Sequence, residues 1–301
     1  MSLFSRLVVT TLPVVPKFIV GKVASAYVAG ETLADAVETV RQLNAEGAMA
    51  TMDLLGEEVH ERAKAEEAAE EYLRIYTAIR DEKLDANVSC KLSQLGQTID
   101  DEFCLKNVRR LVEVAANDKS FLRLDMEDHT TTDSTLEIYR QLHKDVGGHV
   151  GVVFQAYMRR TLSDIAALPS EGANVRLCKG IYIEPRPIAW KGYETVRYNF
   201  IAALEKLFNQ GVYVGIATHD EHLCCAAVAL IDKLQVPRER YEFQMLLGVD
   251  PQLRRILLDG GHRLRVYVPY GRDWYQYSTR RLRENPEVAM HVMRALLSGN
   301  R

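Results

Sequence analysis

The sequence contains few cysteines, no excess of basic residues and no long apolar run. Its five cysteines include no CxxC pair, so the common structural zinc motifs are not predicted and a reduced, intracellular protein is expected. The 38 Lys and Arg residues are balanced by 41 Asp and Glu, which gives a net charge of −3. Nucleic-acid partners usually require a basic excess, and we therefore expect none. No apolar run approaches the length that spans a bilayer, which favours a cytoplasmic protein.

The first residues share only some features with an export signal. Residues 7–15 are apolar, as the core of a signal peptide is. Pro13 and Pro16 interrupt this stretch, however, and Lys17 and Lys22 follow it before any site that resembles a cleavage point. We interpret the segment as a helical N-terminal arm of the mature protein.

Two helices are predicted on either side of the first strand. Thr32 can cap a helix over residues 32–44, because Asp35 follows three residues later and apolar residues then recur at helical spacing. Residues 57–80 are rich in Ala and Glu and predict a second helix, whose charged face is expected to be solvated.

Eight short segments of β-forming residues alternate with helix-like stretches along the rest of the chain. Their starts lie about 30 residues apart, the length of a βαβ unit, and eight such units occupy about 250 residues, the size of a (β/α)8 barrel. We therefore predict an α/β fold, with a TIM-type (β/α)8 barrel over residues 47–301 and extra N-terminal helices in an arm of residues 1–46. The predicted strands are 49–55, 88–92, 121–126, 150–156, 174–178, 212–217, 241–246 and 264–268.

Polar and charged side chains stand at nearly every predicted strand end. The C-terminal rim of such a barrel is where active sites are assembled, so these side chains are expected to meet at one opening. Polar loops offer an alternative explanation, but Lys91, Gln155 and Arg176 lie inside otherwise apolar segments, where an unpaired charge is costly. The strand-end residues are Lys91, Asp125, Met126, Glu127, Asp128, Gln155, Arg176, Lys179, Thr218, His219, Asp220, Gln244, Tyr267 and Tyr270.

The segment YVPYGRDWYQYSTRRLRENP, residues 267–286, predicts a closing helix that begins at Trp274 and ends before Pro286. Two guanidinium groups on one helical face can bind a carboxylate in bidentate fashion. A solvated surface helix with a salt bridge between Arg280 and Glu284 explains the spacing equally well, although a helix after the eighth strand would overhang the barrel mouth. The residues on the shared face are Tyr277, Arg280, Arg281 and Glu284.

Seven sequence motifs, each at a predicted strand end, together resemble the proline dehydrogenases, specifically the short bacterial form with a single domain. They are KLSQLG (91–96), LDMED (124–128), FQAYMRR (154–160), VRLCKGIY (175–182), ATHD (217–220), YEFQMLLG (241–248) and the segment from residue 267. The resemblance implies a distorted (β/α)8 barrel that binds FAD non-covalently and oxidises L-proline to Δ1-pyrroline-5-carboxylate. Ile181 and Ile183 depart from the pattern, because the family often has a small and an aromatic residue there.

The resemblance also implies roles for individual residues. The catalytic residues would be Asp125, beside Lys91, and Arg176, near N5 of the flavin. Proline would be bound by Lys91, Leu246, Tyr267, Tyr277, Arg280, Arg281 and Glu284. FAD would be held by Met126, Gln155, Arg176, Lys179, Gly180, Ile181, Tyr182, Thr218, His219 and Gln244.

The resemblance implies a quinone or another electron acceptor, reached by peripheral contact with the inner face of the membrane. The apolar arm could make that contact, cover the barrel or join a homo-oligomer. Two alternatives remain open. One is a metal-dependent hydrolase or lyase on the same barrel, although we expect no metal because no HxH or HExxH motif is present. The other is a barrel that binds an amino acid without catalysis. The ligands of the first would be Asp125, Glu127, His129 and His219.

Overall fold

A computed structural model describes residues 26–169, 171–275 and 278. Its centre is a closed barrel of eight parallel strands, paired in sequence order with the last strand against the first. The predicted (β/α)8 fold is therefore confirmed. The strands are β1 (Met49–Leu54), β2 (Ala86–Cys90), β3 (Leu122–Leu124), β4 (Val150–Gln155), β5 (Asn174–Cys178), β6 (Tyr213–Ala217), β7 (Tyr241–Leu246) and β8 (Leu264–Tyr270).

Helices surround the barrel and bury their apolar faces against the strands. Among the described residues, no helix is both long and apolar enough to cross a membrane. The helices are α1 (Leu33–Ala45), α2 (Arg62–Asp81), α3 (Asp101–Asn117), α4 (Thr132–Val146), α5 (Thr161–Ala166), α6 (Tyr193–Asn209), α7 (Glu221–Lys233) and α8 (Pro251–Asp259), with single 3₁₀ turns at Leu92–Leu95, Gly147–His149 and Arg238–Arg240.

Helix α1 has the cap that its sequence predicts. The Thr32 hydroxyl accepts a hydrogen bond from the Asp35 amide at 3.2 Å, and the Asp35 carboxylate accepts one from the Thr32 amide at 3.0 Å. Helix α2 begins later than predicted, at Arg62 instead of residue 57. The amides of Glu58 and Val59 donate instead to the side chain and carbonyl of Ser93, so this stretch is held as a loop against the 3₁₀ turn.

Three strands have bounds that differ from the prediction by two or more residues. β2 ends at Cys90, because Lys91 caps the 3₁₀ turn that follows. β3 contains only three residues. β8 continues through Pro269 to Tyr270. A proline is tolerated there because it lacks only the N–H donor, and the pairing of β8 with β7 has already ended at Tyr267.

The segment before α1 lies over the end of β8. Ala29 donates to the Pro269 carbonyl at 2.9 Å, and the Gly30 carbonyl accepts from Gly271 at 3.0 Å. Trp274 is helical, as predicted for the start of the closing helix, and its indole donates to Glu31 at 2.8 Å. Residues 1–25, and with them most of the predicted arm, lie outside the described residues.

A Gly248→Ala variant is expected to be destabilised by about 2–3 kcal/mol. Gly248 has φ +70°, and a Cβ there would lie 1.7 Å from the carbonyl oxygen of Ala26, so the substitution combines backbone strain with a clash. Gly47→Ala is the matched control, because Gly47 has φ +86° with nothing within 4 Å of an added Cβ. It should lose about 1 kcal/mol. Urea unfolding compares the two, and equal losses would show that the contact with Ala26 contributes nothing.

Candidate active site

A cavity of about 350 Å³ opens among the C-terminal ends of the strands. Every predicted site residue within the described ranges lines this cavity. Of the strand-end residues, all but Glu127, Asp128 and Tyr270 line it. Glu127 instead accepts from Ser93, and the Tyr270 hydroxyl donates to Glu71. Tyr277, Arg280, Arg281 and Glu284 lie outside the described residues. The predicted residues that line the cavity are Lys91, Asp125, Met126, Gln155, Arg176, Lys179, Gly180, Ile181, Tyr182, Thr218, His219, Gln244, Leu246 and Tyr267.

Lys91 forms a buried ion pair with Asp53 on β1. Its Nζ lies 3.1 and 3.0 Å from the two carboxylate oxygens, and the Asp53 side chain is fully buried. Burial opposes the charged form of Lys91, but the carboxylates of Asp53 and Asp125 outweigh it and raise the pKa of the ammonium group. Burial raises the pKa of Asp53, which Lys91 partly offsets. We take the protonated lysine as the fixed charge of this pair, because two carboxylates face it.

Asp125 forms its ion pair with Arg176. The Arg176 Nη1 lies 2.6 Å from Oδ1 of Asp125, which also accepts from the Ser89 hydroxyl at 2.7 Å, and Oδ2 accepts from the Tyr267 hydroxyl at 3.0 Å. Burial opposes ionisation of Asp125, but Arg176 and Lys91 outweigh it and lower the pKa. The resemblance places Asp125 beside Lys91, but the direct partner of Lys91 is Asp53, and Asp125 acts on Lys91 only through its charge.

A second group of charged side chains lies at the ends of β5 and β6. Lys179 reaches Asp220 at 3.2 Å, and Arg197 binds the same carboxylate at 2.9 and 2.7 Å. Burial opposes the ionised form of Asp220, but these cations and the Tyr193 hydroxyl, at 2.9 Å, lower its pKa. Next to it, His219 accepts a hydrogen bond from the Leu246 amide at 2.9 Å. Ion pairs with Asp220 therefore hold Lys179 and Arg197 in place at this part of the cavity rim.

Sequence patterns did not indicate several residues of the site. Asp53, the buried partner of Lys91, lies inside an apolar strand segment, and the rule that singled out Lys91, a charge inside an apolar segment, applies to it equally. Tyr193, Val249 and Asp250 line the cavity itself. They belong to the loops and helix starts after β5 and β7, and no periodic pattern marks them.

Among the described residues, no group of three or more His, Cys, Asp or Glu side chains is placed to hold a metal ion. The four ligands of the metal-dependent alternative are held by protein partners instead. Those partners are Arg176 for Asp125, Ser93 for Glu127, Glu184 for His129 and the Leu246 amide for His219. This arrangement gives the alternative no support.

Comparison with known proteins identifies similar chains. A family model described as "Proline dehydrogenase" matches residues 36–294. The chain is 37% identical to a proline dehydrogenase of Deinococcus radiodurans, over 92% of this chain and 90% of the relative. It is 35% identical to proline dehydrogenase 1 of Bacillus subtilis, over 91% and 90%.

The fold also matches a crystal structure of proline utilization A (PutA) from Bdellovibrio bacteriovorus, inactivated by N-propargylglycine. The TM-score is 0.82 at 22% identity, and the match covers 93% of this chain and 34% of that one. At this identity the likeness concerns the fold alone.

Proposed function

Because this chain belongs to the proline dehydrogenase family, we propose that it oxidises L-proline to Δ1-pyrroline-5-carboxylate by hydride transfer to non-covalently bound FAD. The observation that carries this proposal is the cavity in which Arg176 and Lys91 lie beside apolar walls. When bound, FAD supplies a two-electron acceptor that the amino acids of the chain lack.

The residues of the cavity suit a flavin nucleotide. Met126, Ile181 and Leu246 offer apolar surface for a planar ring, while Arg176 and Lys179 offer positive charge for the reduced ring and for a diphosphate. Arg176 is only 8% exposed, so its charge acts in a medium that screens it weakly. Met126, Ile181, Arg176 and Lys179 would hold FAD, as the resemblance implies, and Leu246 would lie between the flavin and proline.

Proline would be bound through its carboxylate and its ring. The carboxylate is the only strong handle on so small a molecule, and Lys91 is one cation that can bind it. Tyr267 and Leu246, which line the cavity, would enclose the ring and exclude water. Tyr277, Arg280, Arg281 and Glu284 remain predicted substrate residues on the evidence of their spacing and the resemblance.

Asp125 is proposed to orient its neighbours instead of removing a proton. Its two oxygens already accept hydrogen bonds from Ser89, Arg176 and Tyr267, and its lowered pKa makes it a weak base. The proline nitrogen must lose its proton before hydride leaves the adjacent carbon, and positive charge near the carboxylate favours that loss. Arg176 would stabilise the negative charge of the reduced ring.

We also propose that a quinone accepts the electrons, in a cytoplasmic protein that contacts the membrane surface. Tyr193 lines the cavity and Ile183, in the loop that precedes it, is 90% exposed. Apolar surface beside the cavity mouth suits an apolar acceptor. Reduction of a soluble quinone analogue in the presence of L-proline tests this part separately, and a homo-oligomer would be detected by light scattering.

The absorbance spectrum of the isolated protein, before and after L-proline is added without oxygen, tests the main proposal. We expect a yellow protein whose flavin band is bleached by L-proline and is unchanged by an equal concentration of glycine, which has a carboxylate and an amine but no ring. A colourless protein that FAD cannot reconstitute would contradict the proposal. Binding of proline without bleaching would favour the non-catalytic alternative.

A further inference from the structure

The guanidinium of Arg176 is held from two sides and has one edge without a partner among residues 26–169, 171–275 and 278. Its Nε donates to Oε1 of Gln244 at 2.6 Å, and its Nη1 donates to Asp125 at 2.6 Å and to Ser89 at 3.2 Å. Nη2 makes no hydrogen bond to these residues. Arg176 lines the cavity. Because its guanidinium is planar, the contacts that hold Nε and Nη1 also fix the direction in which Nη2 points.

The contact with Gln244 requires one orientation of its amide. Only the oxygen end can accept from Arg176, since the nitrogen end is itself a donor. Glu242, two residues earlier on β7, accepts from Nε2 of Gln244 at 2.6 Å. A carboxylate has no proton to donate, so it binds the nitrogen end alone and leaves the oxygen end for Arg176.

Glu242 is kept ionised and fixed in place. Arg265 donates to its Oε1 at 2.7 Å and the Tyr213 hydroxyl to its Oε2 at 2.8 Å. Burial opposes the charged form, but Arg265 and these hydrogen bonds outweigh it and lower the pKa of Glu242 to about 2. Glu242 therefore remains an acceptor without a proton throughout the pH range in which the protein would work.

The barrel leaves room for this row of contacts at Gly215 on β6. Gly215 is paired with Arg176 on one side and with Glu242 on the other. A Cβ at this position would lie 2.4 Å from Nε2 of Gln244, so any larger residue would displace the amide. A glycine at position 215 is therefore required for the Gln244 amide to lie between Arg176 and Glu242.

We propose that Glu242 is a positioning residue, which fixes the amide of Gln244 and through it the cavity-facing edge of the Arg176 guanidinium. The inference rests on the proposed function, because it gives Arg176 a place beside the flavin. Glu242 makes no contact with the cavity: it is absent from the lining and 2% exposed. A salt bridge with Arg265 that served only stability would not require the hydrogen bond to Gln244.

A Glu242→Gln holoenzyme tests the proposal. Glutamine replaces the carboxylate with a neutral amide, which is a weaker acceptor and has only one oxygen, so the amide of Gln244 is held less firmly. We expect flavin reduction by saturating L-proline to slow about tenfold, while the proline dissociation constant stays within about twofold. The midpoint potential of the bound flavin should become more negative. If L-proline fails to bleach the parent protein, the proposed function is wrong, but the potential still tests the position of Arg176.

Two further comparisons separate positioning from stability. Tyr213→Phe removes the hydrogen bond to Oε2 of Glu242, while Arg265 still holds Oε1, the oxygen that accepts from Gln244. It should leave the rate within about twofold of the parent and the potential unchanged. In a Gln244→Leu background, Glu242→Gln should cause no additional loss, because both act through one contact. If Glu242→Gln does not fold, the pair Glu242→Gln with Arg265→Met, which removes both charges, replaces it. The proposal would be overturned if Glu242→Gln had the rate and potential of the parent. It would also be overturned if Glu242→Gln slowed flavin reduction as much in the Gln244→Leu background as in the parent.

Discussion

Replacement of Arg281 with Met is expected to weaken L-proline binding by about 100-fold or more while FAD stays bound. The floor of the cavity is close to neutral, because Lys91 and Arg176 each have a carboxylate partner, at 3.0 and 2.6 Å. A substrate carboxylate therefore finds little uncompensated positive charge there. The sequence offers two adjacent arginines for this purpose, and loss of one guanidinium removes two charge-assisted hydrogen bonds.

The measurement is the proline concentration that half-saturates the rate of anaerobic bleaching. Arg283→Met is the matched control, because Arg283 follows Arg281 by two residues, and side chains two residues apart do not share a helical face. It should alter the half-saturating concentration by less than about twofold. If Arg281→Met instead released FAD and kept the parental affinity for proline, the division between substrate and cofactor residues would be wrong.

Strand positions could be predicted from the sequence because apolar β-forming segments recur at a regular spacing. The bounds of β5 and β7 agree with the prediction, whereas β3 is three residues shorter than expected. Asp125 leaves the strand although its amide still donates to the Cys90 carbonyl. Its side chain is engaged by Arg176 and Tyr267, and such tertiary contacts have no local sequence signal.

The partners within the cavity could not be predicted, although much of its lining could. Strand-end positions indicate which residues reach the rim, but the stagger of all eight strands decides which of them touch. Lys91 therefore pairs with Asp53, one strand before it, and Asp125 pairs with Arg176, two strands after it. The pairing of Glu242 with Arg265 could not be predicted either. Each of the two lies inside a strand segment that is otherwise mostly apolar, and no local pattern indicates its partner.

Replacement of Lys91 with Met is expected to destabilise the protein by about 3 kcal/mol near neutral pH and to weaken proline binding. Without the ammonium group, the Asp53 carboxylate is left buried and unpaired, with its side chain fully buried. Removing one member of a buried pair costs more than removing both, because the remaining charge keeps its desolvation penalty. Urea unfolding measures the loss of stability, and anaerobic bleaching measures the affinity.

The loss of stability in Lys91→Met should depend on pH. Burial and the charge of Asp125 already raise the pKa of Asp53, and Lys91 is the main group that opposes them. Once Lys91 is removed, the folded-state pKa of Asp53 lies further above its unfolded value, so the folded state holds the extra proton. The variant is therefore least destabilised below the unfolded pKa of an aspartate, and the deficit grows as pH rises through the folded-state value.

Adding Asp53→Asn to Lys91→Met separates the two roles of the lysine. The double variant leaves no unpaired charge, so its stability should return to within about 1 kcal/mol of the parent. The pH-dependent loss of stability seen in Lys91→Met should disappear. Proline affinity should remain low, because the cation that meets the substrate carboxylate is still missing. If the double variant instead bound proline as tightly as the parent, Lys91 would be only the counter-ion of Asp53. Recognition of the carboxylate would then rest entirely on the arginines of the closing helix.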